Sequence, residues 1–232
     1  MRLGIMQPYF MPYIGYFQLI AAVDLFIVYD NIKYTKKGWI NRNRMLVNGA
    51  DAIFSLPLKK DSDMLDIVQR ELSSEFNREK LLGQFKGAYI KAPYFNEFYP
   101  LLEKIIRFKD GNLFTYIENS LNEICRHLKI ETKIIISSNF PINHELKAQD
   151  KVIALCNATH ADSYINTIGG TELYDRNQFL SHGVKLQFIK AKSFEYSQFA
   201  APFVPWLSIV DVLMFNPIEV VQECINSNYE LI

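Results

Sequence analysis

The sequence predicts an α/β fold in which helices flank a mostly parallel sheet, and three observations support this prediction. Short apolar segments that end at polar or turn-forming residues alternate with amphipathic segments, both early and late in the chain. The 232 residues are 49% hydrophobic and 22% charged, which is enough apolar material for one sizeable core. Nine prolines, ten glycines and no internal repeat exclude collagen-like and solenoid proteins. We therefore expect a single domain over residues 1–232.

The first 30 residues predict a strand, a loop, a helix and a second strand. Residues 3–6 are apolar and end at Gln7, and Pro12 suits the first turn of a helix. Residues 25–29 favour a strand that ends at Asp30. Because such a unit is normally parallel and right-handed, Gln7 and Asp30 should lie at the same edge of the sheet.

The middle of the chain departs from this alternation. Residues 34–44 are polar, basic and aromatic and predict an irregular loop, whereas Asn48-Gly49 predicts a tight hairpin over residues 45–58. Residues 67–72 suit a strand or a helix, and we favour a strand. A helical pattern with two breaks then predicts a helical insertion over about residues 75–128.

The last hundred residues return to alternating strands and helices. The predicted strands cover residues 133–136, 163–166 and 185–189, and the predicted helices cover residues 147–158, a short segment around Phe179 and residues 208–227 around Pro217. Ser208 is placed as an N-cap, with Asp211 at the third helical position as in a capping box.

Composition narrows the class of protein. Lys+Arg and Asp+Glu both number 25, so no net positive field attracts nucleic acid, and we expect no nucleic-acid partner. No segment has the length of apolar sequence that a membrane span needs, and the prediction is a soluble, cytoplasmic protein. The three cysteines are widely spaced and predict reduced core thiols. No histidines have metal-ligand spacing, so no metal site is predicted.

Polar residues follow four predicted strands, at the edge where open parallel sheets bind ligands. Turns favour Asn, Ser and Gly whatever their function, which is the alternative explanation. The convergence of four such ends nevertheless predicts a ligand crevice. Its substrate-binding candidates are Gln7, Asn31, Ser138, Asn166, Gly169 and Gly170.

Two neighbouring segments add candidates to this crevice. In residues 7–17 two prolines fix a loop rich in aromatic residues, which either orders a ligand site or plugs the sheet edge, and Tyr13 and Tyr16 are its candidates. Residues 36–44 hold four cations, two amides and an indole, which suit a phosphate and a ring, although a solvated charged loop is the alternative. The substrate-binding candidates there are Trp39, Asn41, Arg42, Asn43 and Arg44.

Together these motifs resemble the WbqC-like proteins, from about residue 3 to about residue 216. The resemblance is carried by Gln7-Pro, Pro12-Tyr-Ile-Gly-Tyr-Phe, Asp24, Asp30, Trp39-Ile-Asn-Arg-Asn-Arg44, Tyr164-Ile-Asn-x-x-Gly-Gly170 and Leu207-Ser-x-x-Asp211. It implies a role in bacterial surface-polysaccharide biosynthesis, such as that of O-antigen or capsule, and some members are linked to adding glycine or another acyl unit to an amino sugar. Asp211 is counted with the substrate-binding candidates.

The N-terminal strand, loop and helix also resemble those of nucleotidyltransferases and acyl-adenylate-forming ligases. This similarity implies a nucleotidyltransferase-like α/β core. Those enzymes bind the triphosphate through two histidines that flank a glycine, but the matching stretch here is Tyr13-Ile14-Gly15-Tyr16. Because a neutral tyrosine supplies no positive charge, this departure weakens the case for ATP-driven chemistry. ATP or an activated acyl donor both stay open as the co-reactant.

The leading functional hypothesis is an enzyme that forms an amide on the amino group of a nucleotide-linked sugar. In this hypothesis Asp30 holds or deprotonates the attacking ammonium, and Tyr16 orients the substrate. The alternative is a non-catalytic protein of the same pathway that binds a nucleotide-sugar or acts as a scaffold. The 17 Phe and 13 Tyr residues also leave a homodimer open.

Overall fold

A computed structural model of the chain describes residues 1–200 and 202–232. The strands within these residues are β1 (Arg2–Met6), β2 (Leu25–Val28), β3 (Arg42–Val47), β4 (Ala50–Ser55), β5 (Lys133–Ile136), β6 (Ser163–Thr167), β7 (Lys185–Ala191) and β8 (Tyr229–Leu231). The α-helices are α1 (Ile14–Ala21), α2 (Arg78–Tyr89), α3 (Phe95–Ile106), α4 (Leu113–His127), α5 (Ala148–Ala158), α6 (Arg176–Ser181), α7 (Ile209–Phe215) and α8 (Ile218–Ser227).

The main sheet confirms the predicted α/β class. Its order is β5-β2-β1-β6-β7-β8, in which the first five strands are parallel and β8 pairs antiparallel with β7. In chain order the parallel strands therefore lie third, second, first, fourth and fifth. The direction of winding reverses between β1 and β6, so the loops that leave these two strands diverge and open a crevice.

Helices cover both faces of the sheet because successive side chains of each strand point to opposite faces. Phe26 and Val28 of β2 pack in a core cluster with α1, the insertion helices and α7, whereas Leu25 and Ile27 pack in a second cluster with α5 and α6. β2, with the sequence LFIV, is thus apolar throughout, and residues 3–6 of β1 are apolar apart from Gly4. This explains why they appear in the sequence as continuous apolar runs.

The hairpin predicted from Asn48-Gly49 is present as β3 and β4, and it forms a separate two-stranded sheet. Asn48 and Gly49 both have positive φ, 51° and 79°, as a tight hairpin turn requires. The first strand begins earlier than predicted, at Arg42, because residues 42–44 pair with residues 53–55 of β4. The prediction of an irregular loop was therefore wrong for Arg42, Asn43 and Arg44.

A second correction concerns residues 67–72, which do not form the expected strand. Ile67–Gln69 is a short 3-10 turn that begins at Asp66, where a capping box closes it with Gln69. Residues 75–128 hold α2, α3 and α4. Ser208 caps α7 as predicted, since its hydroxyl accepts a hydrogen bond from the Val210 N–H.

Cysteine placement agrees with the sequence prediction. Cys125, Cys156 and Cys224 are free and buried. Separately, none of the helices within residues 1–200 and 202–232 has both the length and the apolar character needed to cross a membrane.

Candidate functional site

A cavity of about 330 Å³ lies at the point where the sheet reverses its winding. Met6 at the end of β1 and Thr167 at the end of β6 both line it. Its remaining walls are Tyr9, Pro12, Tyr13, Gly15, Tyr16, Gln18, Trp39, Asn43, Arg44, Ile168, Ile189, Ala191 and Trp206. The volume is within the range of small-molecule sites, and the position is the one where open α/β sheets bind ligands.

The loop between β1 and α1 is held in place by neighbouring segments. The Phe10 N–H donates to the Ile40 carbonyl at 2.9 Å, and the Ser208 hydroxyl donates to the Met11 carbonyl at 2.7 Å. Met11 itself has a positive φ of 46°. The Tyr16 hydroxyl closes the loop by donating to the Gln7 carbonyl at 2.8 Å. The cavity wall is therefore largely preformed, which lowers the entropy cost of binding.

Aromatic rings line the mouth of the cavity. Trp39 is 39% exposed and Trp206 is 58% exposed, although large apolar side chains are usually buried. Tyr13 packs against Trp206 with ring centroids 5.2 Å apart. Partly exposed indoles beside a cavity suit a flat ligand ring, either a base or the apolar face of a sugar.

Arg44 supplies the positive charge of the cavity. Its Nη1 lies 3.4 Å from Asp51 Oδ2, its Nη2 donates to the Trp206 carbonyl at 3.2 Å, and its guanidinium lies 5.5 Å from the Trp39 ring centroid. Both hydrogen bonds are long, and Nε has no partner among the described residues. The guanidinium therefore has capacity left for an anionic ligand such as a phosphate.

Five of the predicted site residues line this cavity. They are Tyr13, Tyr16, Trp39, Asn43 and Arg44. The structure places the other candidates outside its walls. These are Gln7, Asp30, Asn31, Asn41, Arg42, Ser138, Asn166, Gly169, Gly170 and Asp211.

Arg42 and Asn41 do not line the cavity but hold the segment around Trp39 in place. Arg42 donates from Nε to the Gly38 carbonyl at 2.9 Å and from Nη2 to the Lys37 carbonyl at 2.6 Å, with its guanidinium 5.6 Å from the Trp39 ring centroid. Asn41 donates to the Leu56 carbonyl and accepts from the Tyr34 hydroxyl. Their polar groups hold the segment that carries Trp39.

Asp30 belongs to a different buried cluster, so the expectation that it shares a crevice with Gln7 and both arginines is corrected. Asp30 is 3% exposed, and its Oδ1 accepts from the Ser137 hydroxyl at 2.7 Å and from the Ser138 N–H at 3.0 Å. Asn31 accepts from the Lys151 ammonium and contacts His144. These bonds join the ends of β2 and β5, whereas the cavity opens on the other side of β1, between β1 and β6.

The amide of Asn166 is also used inside the fold. Its Nδ2 donates to the Tyr164 hydroxyl at 3.0 Å, and its Oδ1 accepts from the Thr167 N–H at 2.6 Å. A side chain at Gly170 would lie 3.0 Å from Asn166 Nδ2, which is why glycine fits there. Asn166 thereby shapes the turn that carries Thr167 and Ile168 into the cavity wall.

Asp211 is fully buried, and it is not part of a capping box. Its carboxylate accepts from the Tyr89 hydroxyl at 2.9 Å, from the Tyr196 hydroxyl at 2.6 Å and from Gln198 Nε2 at 2.9 Å. Burial raises the pKa of the Asp211 carboxyl, and the three hydrogen bonds oppose this rise. The residue therefore fastens Tyr196 and Gln198, in the segment after β7, to α2 and α7.

Several wall residues were not predicted from the sequence. They are Met6, Tyr9, Pro12, Gly15, Gln18, Thr167, Ile168, Ile189, Ala191 and Trp206. Trp206 carried a usable signal, because it is a large aromatic residue just before a predicted N-cap. Ile189 and Ala191 of β7 could not be predicted from the sequence, because their place in the wall depends on which strand pairs with β6.

The cavity wall contains few groups that titrate. Arg44 and three tyrosines are the ionisable members, and burial raises the pKa of Tyr9, Tyr13 and Tyr16, which keeps their hydroxyls neutral. Within the described part of the chain, no aspartate, glutamate, histidine, lysine or cysteine lines this cavity. The aromatic rings and the guanidinium of the wall therefore suit the recognition of a ring and of an anion.

Comparison with known proteins identifies the family of the chain. The model of the WbqC-like protein family matches residues 7–223, which is nearly the whole chain. The chain belongs to the WbqC-like protein family. This WbqC-like protein is also similar to the uncharacterized protein Rv1507c of Mycobacterium tuberculosis, with 27% identity over 218 residues and 93% of each chain covered. No solved structure matches the WbqC-like chain.

Proposed function

We propose that the cavity between β1 and β6 binds a nucleotide-linked amino sugar, and that the protein acts in bacterial surface-polysaccharide biosynthesis. The observation that carries this proposal is the combination of two partly exposed indoles with Arg44 in one cavity at the sheet reversal. The indoles would stack on a ring, and the guanidinium would pair with a phosphate. The pathway is the one that the family resemblance implies.

The reaction that we favour is amide formation on the amino group of the sugar. The ammonium would first lose a proton to water; the amine nitrogen would then bond to the acyl carbon of an activated donor, the bond from that carbon to its leaving group would break, and water or the leaving group would take the second proton. Asp30 and Tyr16 are poor candidates for the base, because the Asp30 carboxylate lies in a buried cluster and the Tyr16 proton is donated to the Gln7 carbonyl. Holding both substrates in contact would then supply most of the rate increase.

A non-catalytic binding protein of the same pathway is the second candidate. It is favoured by the cavity wall, where the described residues offer rings, amides and a guanidinium but no group that accepts a proton near neutral pH. Both candidates use the same cavity, so they differ only in whether a new acyl bond forms.

Calorimetry with UDP-, dTDP- and GDP-linked amino sugars tests the shared claim. Wild-type protein should bind at least one of them, and Trp39→Ala should weaken that binding about tenfold through lost stacking. Leu180→Ala is the matched control, because it removes an exposed apolar side chain outside the cavity. Binding of none of these sugars would contradict the proposal. Mass spectrometry after addition of glycine with ATP, or of acyl thioesters, separates transfer from binding alone.

A further inference from the structure

A second cavity of about 440 Å³ adjoins the first. The two cavities have Tyr13, Ala191 and Trp206 in common. The remaining walls of the second cavity are Lys192, Ser193, Phe194, Glu195, Tyr196, Phe203, Pro205, Leu207 and Val212. Together the cavities form one cleft with two compartments.

The wall between the compartments is the ring pair of Tyr13 and Trp206. Trp206 has a φ of 61°, a left-handed conformation that is costly for a bulky residue, and it leaves most of its indole exposed. Arg44 holds it there, since Nη2 donates to the Trp206 carbonyl and the Arg44 carbonyl accepts from the Ser208 N–H at 2.9 Å. A strained, exposed ring that the fold fixes in a cleft points to a role in ligand binding.

Arg44 lies in the first cavity, beside the wall that separates the two compartments. Arg44 lines the first cavity and touches the backbone of Trp206, which lines both. A nucleotide-linked sugar has the matching arrangement, because two ring systems are joined by negatively charged phosphates. One ring would occupy each compartment, and the phosphates would lie beside Arg44.

The second compartment contains the carboxylate that the first one lacks. Glu195 and Lys192 are its charged wall residues, and neither forms an ion pair with the described part of the chain. Its base is apolar and aromatic, with Phe194, Tyr196 and Phe203. The Tyr196 hydroxyl is fixed by Asp211, so this wall is anchored to the core.

We propose that the second cavity is the sugar subsite and that Glu195 recognises the ammonium group of an amino sugar. This inference rests on the proposed function and assigns the nucleotide to the first cavity. Glu195 acts here as a specificity-determining residue: it would pair with the ammonium while the sugar ring packs on the aromatic base. A hydroxyl at the same position of the sugar forms no ion pair with it.

The test compares the amino-sugar nucleotides UDP-, dTDP- and GDP-glucosamine with the same nucleotides linked to glucose. Wild-type protein should prefer the amino sugar about fivefold in calorimetry, and Glu195→Gln should remove this preference while keeping the affinity for the glucose-linked nucleotide. Glu172→Gln is the control, since it neutralises an exposed carboxylate outside both cavities. Its preference should stay as in wild type.

The two proposals fail in different ways. If wild-type protein binds neither kind of sugar nucleotide, the proposed function is contradicted. If it binds both kinds equally, or if Glu195→Gln keeps the full preference, the proposed function stands and the role of Glu195 is overturned. High salt gives an independent readout, because it should reduce the preference of wild type but leave Glu195→Gln unchanged.

Discussion

Arg42 and Arg44 lie on the same strand and beside the same tryptophan, but only Arg44 lines the cavity. Both guanidinium groups are within 5.6 Å of the centroid of the Trp39 ring. Arg42 donates hydrogen bonds to the Gly38 and Lys37 carbonyls, whereas Arg44 makes two long hydrogen bonds and lines the cavity. Residues 42 and 44 lie on the same face of β3, so position along the strand explains the difference: Arg42 lies beside the Gly38 and Lys37 carbonyls, and Arg44 lies beside Trp206 at the cavity.

Replacing Arg44 should therefore weaken anion binding more than replacing Arg42. We expect Arg44→Met to reduce the affinity for a nucleoside diphosphate by about 1.5–3 kcal/mol, as for other hydrogen bonds to charged groups. Arg42→Met should keep most of the affinity and instead lower the melting temperature through the loosened 37–41 segment. Calorimetry and thermal unfolding of both variants measure this, and an equal loss of affinity would argue against the assignment to Arg44.

At the scale of elements, a single buried carboxylate connects α7 to α2 and to two residues that follow β7. Asp211 lies on α7, and its partners are Tyr89 of α2 and Tyr196 and Gln198 after β7. The Tyr89 hydroxyl also accepts from the Leu46 N–H of β3 at 2.8 Å. One side chain thereby connects the helical insertion, the hairpin and a wall of the second cavity.

The raised pKa of Asp211 predicts the sign of a pH effect on stability. The folded state keeps this proton to a higher pH than the unfolded state, so Asp211 makes the protein less stable as pH rises above 3.8, its ordinary pKa, through the raised value. Asn does not titrate, and the free energy of unfolding of Asp211→Asn should therefore rise relative to wild type across that window. Urea unfolding at several pH values measures the difference.

Asp24 gives the opposite sign and serves as the control. Hydrogen bonds from Arg2 lower the pKa of the Asp24 carboxyl, so this group stabilises the fold above 3.8 and loses that contribution as the pH falls. Asp24→Asn should become less stable than wild type as pH rises through the lowered value toward 3.8. Parallel pH profiles for Asp24→Asn and Asp211→Asn would contradict the interpretation.

The sequence predicted whether a segment is a helix or a strand where burial imposes a regular spacing of apolar residues. The strands of the parallel sheet and the helices of residues 75–128 have clear apolar periods, and the hairpin has its Asn-Gly turn. The start of β3 was missed because Arg42, Asn43 and Arg44 offer no apolar period, and only their pairing with β4 makes them a strand. Residues 67–72 were misassigned because a capping box outweighs their apolar character locally.

At the scale of the whole molecule, strand order decides which polar strand ends meet. The sequence predicts that all these ends lie at one edge of the sheet, but it does not contain the order in which the strands pair. The order β5-β2-β1-β6-β7 places the ends of β1 and β6 beside the cavity and groups Asp30 with Ser138 on the far side of β1. This is why Tyr13, Tyr16, Trp39 and Arg44 lie together at one cavity, whereas Asp30 lies in a separate cluster.

The packing of the whole core also predicts the reactivity of the thiols. Burial raises the pKa to about 12 for Cys125 and Cys156 and to about 11 for Cys224. Since the thiolate is the reactive form, the folded protein should react slowly with a disulfide reagent at pH 8, and all three thiols should react at once in urea. Absorbance of the released thiolate measures both rates, and fast labelling of the folded protein would contradict this packing.

The chain contains two tryptophans, and both are walls of the same cavity. Indole fluorescence depends on the polarity of its surroundings and is quenched by stacked rings, so the emission of this protein originates where a ligand would sit. The molecule thus carries an optical probe at its own site. A titration can be followed without a label, and a variant that keeps one indole reports on one side of the opening alone.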